Sequence, residues 1–295
     1  MSKNKDYPFH SVEEEAEHRE LKERLPKTRV PSYELAFIDT DFLLRYELRS
    51  VRLQLEYLKA EMTQTANNIE STIVVYGSAR IIPREEALKQ LQDAQSYAKK
   101  YPRDEQGQLD LKKAEKKFEK SFYYEEARRF GAMVSTSHEA RDEGNFVIMT
   151  GGGPGIMEGA NRGASEVNGK SIGLSIYLPT EEGTNPYITP ELHLQFHYFA
   201  LRKMHFLNRA RALVFFPGGF GTLDELFEVL TLLQTKKMKR IPVILLGKEY
   251  WHKLVNFKAL VDEDAIAPED IELFQFVDSA ERAWEIIKAF YAVGS

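Results

Sequence analysis

The chain predicts an α/β protein built on a doubly wound parallel sheet, and three observations carry that expectation. Strand-like runs alternate with helix-like segments from residue 71 onward, the order that yields parallel strands with right-handed crossovers. Several strand runs are continuously apolar, as in Ala212-Leu213-Val214-Phe215-Phe216, which suits strands covered on both faces. Two of them lead into glycine loops that open a helix, Gly151 to Gly155 and Gly218 to Gly221. Together these describe a Rossmann-like sheet over residues 71–295, with a helical extension over 1–70 and a helical insert at about 84–130. Ligands are then expected at the C-terminal ends of the strands.

Composition sets the limits. A hydrophobic fraction of 43% over 295 residues is enough for a core, and the net charge of −5 argues against non-specific nucleic-acid binding. There are no cysteines, so disulfides, thiolate catalysis and Cys-ligated zinc are excluded. No run approaches the length of a membrane-spanning helix, and Met1 to Asp6 shows no apolar core of a signal peptide. A cytoplasmic protein with no membrane or nucleic-acid partner is expected.

In order along the chain, the first 30 or so residues are charged, and a frayed segment or surface helix is expected there. Leu44, Leu48, Val51, Leu55, Leu58 and Met62 then place one apolar stripe along a helix of about 25 residues. The spacing leaves open whether that stripe packs on the main domain or forms a homo-oligomer interface. Ser71 to Tyr76 reads as the first strand, with Gly77-Ser78-Ala79-Arg80 at its C-terminal end. Residues 84 to 130 are helical and charged, broken at Tyr101-Pro102 and stopped by Gly131; they read as a solvated or interface hairpin. Phe146 to Thr150, Ser171 to Leu178, Leu192 to Phe199, Ala212 to Phe216, Pro242 to Leu246 and Phe274 to Val277 are the remaining strands, each followed by a loop or helix.

The loop after Phe216 is the richest stretch. Pro217 stops the strand, while Gly218, Gly219 and Gly221 are expected to take positive φ and let a ligand approach the backbone. Thr222 reads as an N-cap and Glu225 as its capping-box partner. A glycine loop at a helix N-terminus is an anion site, most often for phosphate. The other loop, with Gly152, Gly153 and Gly155, does not match the dinucleotide fingerprint G-x-G-x-x-G, and no acidic residue follows at the ribose position. That disfavours a dehydrogenase. Arg202 and Lys203 open a helix, where cations are unfavourable unless an anion sits nearby. His193 and His197 lack a carboxylate to complete a metal site and read as structural. No G-x-S-x-G elbow supports serine chemistry.

These motifs carry a resemblance. Pro217-Gly-Gly-Phe-Gly-Thr-Leu-Asp-Glu225 is similar to the P-G-G-x-G-T-x-x-E signature of the LONELY GUY (LOG) family of phosphoribohydrolases, often mislabelled as lysine decarboxylases. Arg202-Lys203-Met204-His205-Phe206 resembles its R-K partner motif. Gly151-Gly-Gly-Pro-Gly-Ile-Met157-Glu158 resembles a third signature, and Gly77-Ser78-Ala79-Arg80 its first-strand loop. The four occur in the family's order over residues 71 to about 280; the extension and insert resemble longer bacterial members.

The resemblance implies hydrolysis of the N-glycosidic bond of a purine nucleoside 5′-monophosphate, AMP or an N6-substituted AMP such as a cytokinin nucleotide. Arg202 and Glu225 would be catalytic. Gly77, Ser78, Arg80, Gly152, Gly153, Gly155, Met157, Glu158, Lys203, Gly218, Gly219, Gly221 and Thr222 would bind substrate, with no metal or cofactor required. A helix N-terminus is expected to keep Glu225 ionised, as a base needs. Two other functions differ in what they demand. A nucleotide sensor would bind without turnover, and a pyridoxal-phosphate decarboxylase would need a buried lysine, whereas these lysines lie mostly in charged runs.

Overall fold

The computed structural model describes residues 35–137, 146–176 and 183–292. The expectation for the first 30 residues lies outside them. Contacts divide the chain into Met1–Arg52 and Leu53–Ser295. In the first unit, α1 (Thr40–Leu43) is capped by Asp39, whose carboxylate accepts from the Phe42 N–H at 2.9 Å. A 3₁₀ turn follows at Tyr46–Leu48. The expected 25-residue helix is therefore interrupted, and α2 (Arg49–Ala66) is its 18-residue remainder. The interruption is at Arg45, whose backbone is extended with ψ 148°. The Arg52 guanidinium donates to the carbonyls of Leu43 at 2.7 Å and Arg45 at 2.6 Å, bracing the break.

The larger unit is a seven-stranded sheet in which every pairing is parallel, ordered β4-β3-β2-β1-β5-β6-β7. The strands are β1 (Ser71–Tyr76), β2 (Phe146–Thr150), β3 (Ser171–Ile176), β4 (His193–Phe196), β5 (Ala210–Phe215), β6 (Val243–Leu246) and β7 (Gln275–Val277). Helices cover both faces, as expected for a doubly wound, Rossmann-like fold. The tyrosine and phenylalanine of β1 and β5, Tyr76 and Phe215, stack at 4.6 Å on one face. That face is covered by Phe206, Leu226 and Trp251. Val75 and Val214 join the other core, with Tyr124, Phe130 and Ile156. The chain winds outward from β1 to β4, then returns to place β5 on the opposite side of β1. The C-terminal ends of β1 and β5 thus flank the point where strand order reverses, and a crevice opens there.

The crossover from β1 to β2 holds α3 (Arg84–Lys100) and α4 (Glu105–Thr136). It is not a solvated hairpin. Tyr124, Ala127, Phe130 and Val134 of α4 are buried against the sheet and α5 (Ile156–Glu166). Gly131 does not end the helix. A Cβ there would lie 2.1 Å from the Ala160 carbonyl, and one at Gly163 would lie 1.8 Å from that of Arg128. Both glycines allow α4 and α5 to cross at close range, a tertiary reason for residues that read locally as helix stops. The remaining helices are α6 (Phe199–Asn208), α7 (Phe220–Gln234), α8 (Lys248–Leu254), α9 (Phe257–Asp262) and α10 (Ala280–Ala292). Among the described residues no helix is long and apolar enough to cross a membrane.

Candidate active site

Three loops converge at the reversal point. The Ser78 N–H donates to the Pro217 carbonyl at 2.9 Å, joining the β1 and β5 loops. The Ile156 N–H donates to the Ser78 carbonyl at 3.1 Å, joining the β2–α5 loop to them. Glycine makes this approach feasible. Gly155 has φ 74°, and a Cβ on it would lie 2.3 Å from the Ser78 carbonyl oxygen. Around these loops lies a cleft of about 910 Å³, whose lining includes Tyr76, Gly77, Ser78, Arg80, Gly151, Met157, Arg202, Phe206 and Glu225.

Helix α7 starts earlier than the motif suggests. Its N-cap is Gly219 and its first residue Phe220, so Thr222 is already the third helical residue and Glu225 the sixth. The expected capping box is absent, and no side chain caps this end. The early N–H groups of Phe220, Gly221 and Thr222 are those an α-helix leaves without internal acceptors. Gly218, Gly219 and Gly221 do not take positive φ; Gly152 and Gly155 do, at 77° and 74°. What the first loop's glycines provide is room: a Cβ on Gly219 or Gly221 would meet nothing within 4 Å. Gly218 is tightly enclosed instead. Its missing Cβ would sit 2.1 Å from the Thr222 hydroxyl, and its carbonyl accepts from the Tyr250 hydroxyl at 2.5 Å. Phe220 projects into solvent at the rim, 92% exposed.

Glu225 lies one helical turn beyond Gly221 and Thr222, on their face of α7. It lines the cleft while its neighbour Asp224 is turned out to Lys203, with Nζ–Oδ2 2.8 Å. Burial pushes the Glu225 carboxyl up to about 7, against the pull of Arg202, which favours the ionised form. The sequence expectation of a carboxylate held ionised by the helix end is therefore corrected. The helix begins five residues before Glu225, beyond the turn over which its dipole acts, and desolvation dominates. Arg202 is anchored by its Nε donating to the Leu174 carbonyl at 2.7 Å, with the guanidinium 5.1 Å from the Phe206 ring centre. A Cβ on Gly151 would lie 2.5 Å from a guanidinium nitrogen, so that glycine makes space for Arg202.

The other sequence candidates divide. Gly77, Ser78, Arg80, Met157, Gly218, Gly219, Gly221 and Thr222 line the cleft with Arg202 and Glu225. Lys203, Gly152, Gly153, Gly155 and Glu158 are not among its lining residues. Lys203 bridges α6 to α7 through Asp224 and Glu228. The carbonyls of Gly152 and Gly153 accept from the buried Asn185 amide at 3.2 and 3.0 Å. Glu158 accepts from the Tyr124 hydroxyl at 2.7 Å. Lining residues that sequence reasoning missed include Tyr76, Tyr250, and Lys113, Lys116, Lys117 and Lys120 of α4. The lysines had a visible signal, an i, i+3, i+4, i+7 spacing on one helical face.

Comparison with known proteins finds sequence relatives over part of the chain. A family model described as "Possible lysine decarboxylase" matches residues 157–287, which hold Arg202 and the loop before α7. The cytokinin riboside 5′-monophosphate phosphoribohydrolase LOG7 of Arabidopsis thaliana is 37% identical over 89 residues. Over this region the chain is similar to that family model and to the LONELY GUY (LOG) relative. The LOG7 match spans 30% of this chain and 39% of that relative's length. Solved structures also resemble this chain. A molybdenum cofactor binding protein of Rippkaea orientalis, 22% identical, aligns over 57% of this chain and 88% of its own with a TM-score of 0.40. The molybdenum cofactor carrier protein of Chlamydomonas reinhardtii, 19% identical, aligns over 76% and 99% with a TM-score of 0.41. Likeness at that level carries no inference about ligand.

Proposed function

We propose that the protein hydrolyses the N-glycosidic bond of a purine nucleoside 5′-monophosphate, AMP or an N6-substituted AMP, to free base and ribose 5-phosphate. The observation that carries this reading is Glu225, a carboxyl raised to about 7, set one turn past the open N-terminus of α7 and facing the same cleft. The phosphate sits on the N–H groups of Phe220, Gly221 and Thr222, where Gly219 and Gly221 leave space for it. Bond cleavage builds positive charge at C1′. Ionised Glu225 stabilises that charge and accepts a proton from the water that adds to C1′, while the base departs with its electron pair and is protonated. A carboxyl raised to about 7 is half ionised near neutrality, so it can take that proton and release it again. Arg202 holds the ribose or phosphate and keeps Glu225 from being wholly neutral.

The family description's decarboxylase chemistry fits less well. Among the described residues no lysine is buried, and a pyridoxal Schiff base needs a desolvated one. The partner reading remains a homo-oligomer, since Leu55, Leu58 and Met62 of α2 stay exposed. The deciding experiment incubates the protein with a panel of nucleoside monophosphates and assays free base and ribose 5-phosphate. Adenine release from AMP supports the hydrolase; tight AMP binding without release indicates a sensor and overturns it.

A further inference from the structure

The cleft is far more cationic than a monophosphate requires. Among the described residues its lining holds six cationic side chains, Arg80, Lys113, Lys116, Lys117, Lys120 and Arg202, against one carboxylate, Glu225. This is in a chain whose net charge is −5. Four of the six come from a single face of α4. The row from Lys113 to Lys120 runs roughly 10 Å at the α-helical rise. It is held in place by the buried half of the same helix, where Tyr124, Ala127 and Phe130 pack into the core. Lys117 donates to the neutral Gln90 amide at 3.1 Å, a partner that carries no charge. Lys113 pairs at 3.1 Å with Asp110, an exposed contact worth little. Like charges set side by side at i, i+3 and i+4 repel one another. A linear polyanion laid along the row relieves that repulsion, and the volume of about 910 Å³ leaves space for more than a nucleoside monophosphate.

We propose that this cleft takes a nucleoside 5′-polyphosphate, with the phosphates beyond the first lying along the lysine row of α4. The proposal rests on the nucleotide reading of the site but not on turnover. The chemistry is the same whether the polyphosphate is itself cleaved at its N-glycosidic bond or occupies the cleft in competition with the monophosphate. Adenine release from ATP marks the first, and competitive inhibition of AMP cleavage by ATP the second.

The test is calorimetric titration of the full chain with AMP, ADP, ATP and inorganic tripolyphosphate at two salt concentrations. Affinity is expected to rise from AMP to ATP by roughly tenfold or more, with ATP the more salt-sensitive. Tripolyphosphate alone should bind and compete with ATP. In the Lys113→Gln/Lys116→Gln/Lys117→Gln/Lys120→Gln variant the ATP-over-AMP preference should collapse. A milder Lys116→Gln/Lys120→Gln variant covers the case in which four changes disturb folding, and Lys236→Gln/Lys237→Gln, outside the cleft, controls for bulk charge. ATP binding no tighter than AMP, undetectable binding of both, or a preference that survives loss of the row would overturn the proposal. Failure of the hydrolase reading would show separately, as lysine-dependent ATP binding with no base released from any nucleotide.

Discussion

The Lys203 ammonium lies 2.8 Å from the Asp224 carboxylate, and this pair sits beside the cleft rather than in it. Two adjacent residues of the R-K motif therefore face different ways: Arg202 lines the cleft, and Lys203 ties α6 to α7. Lys203→Gln should leave KM for AMP within about threefold and cost no more than about 1 kcal/mol of stability, the scale of a partly exposed ion pair. Arg202→Gln should lower kcat/KM by roughly 10²-fold or more. Steady-state kinetics on the two variants checks this, and equal losses would place Lys203 in the binding machinery.

The pH dependence follows from Glu225. If its ionised form accepts the proton, kcat/KM should rise with pH through a midpoint near 7. Arg202 favours the charged form and Asp224 disfavours it. Arg202→Gln should thus move the midpoint up, and Asp224→Asn should move it down while keeping most of the activity. A profile flat from pH 5 to 9 in the parent would contradict the assignment.

Glu225→Gln separates catalysis from folding. The expected fall in kcat is roughly 10²–10⁴-fold, the usual size of general acid–base help. Because no capping box exists, no cap is lost. A raised carboxyl pKa means that ionisation costs stability, a cost that sets in as pH climbs from the unfolded value through about 7. The parent's stability should therefore decline over that window, and the Gln variant should lack that part of the decline. Thermal melts at pH 5 and pH 8, alongside the kinetics, read both effects.

The glycine loop offers a test of phosphate approach. Gly219→Ala and Gly221→Ala place a methyl in open space, so both should fold with Tm near the parent's and raise KM for AMP. Gly218→Ala meets Thr222 at 2.1 Å and should lose stability instead. Adenosine, lacking the phosphate, should be cleaved far more slowly than AMP. Comparable kcat/KM for the two substrates would remove the phosphate from the proposed mechanism.

The exposed face of α2 bears on assembly. Met62 is 68% exposed and Leu55 and Leu58 about half, large apolar groups along one side of a helix. Light scattering at micromolar concentration should give at least twice the 34.0 kDa chain mass. Leu58→Asp should shift it toward the monomer, and a parent already at 34.0 kDa would rule the interface out.

The sequence by itself determined the strands, their parallel order of appearance and the two glycine loops, because these are local matters. Continuous apolar runs mark two-faced burial, and β1 and β2 fall on the expected residues, Ser71–Tyr76 and Phe146–Thr150. It also singled out Arg202 and Glu225, whose residue types stand out against a helix start. Tertiary structure decided what those residues feel. Local reading made Glu225 an ionised cap; the actual start of α7 at Phe220 and the burial around the carboxyl raise it to about 7. Gly131 read as a stop and proved a contact point with Ala160. The lysines of α4 read as solvent-facing and were brought to the cleft by the crossover's return onto the sheet. Desolvation, close helix crossing and the pooling of charge around a cleft all depend on residues far apart in the chain, and spacing alone does not record them.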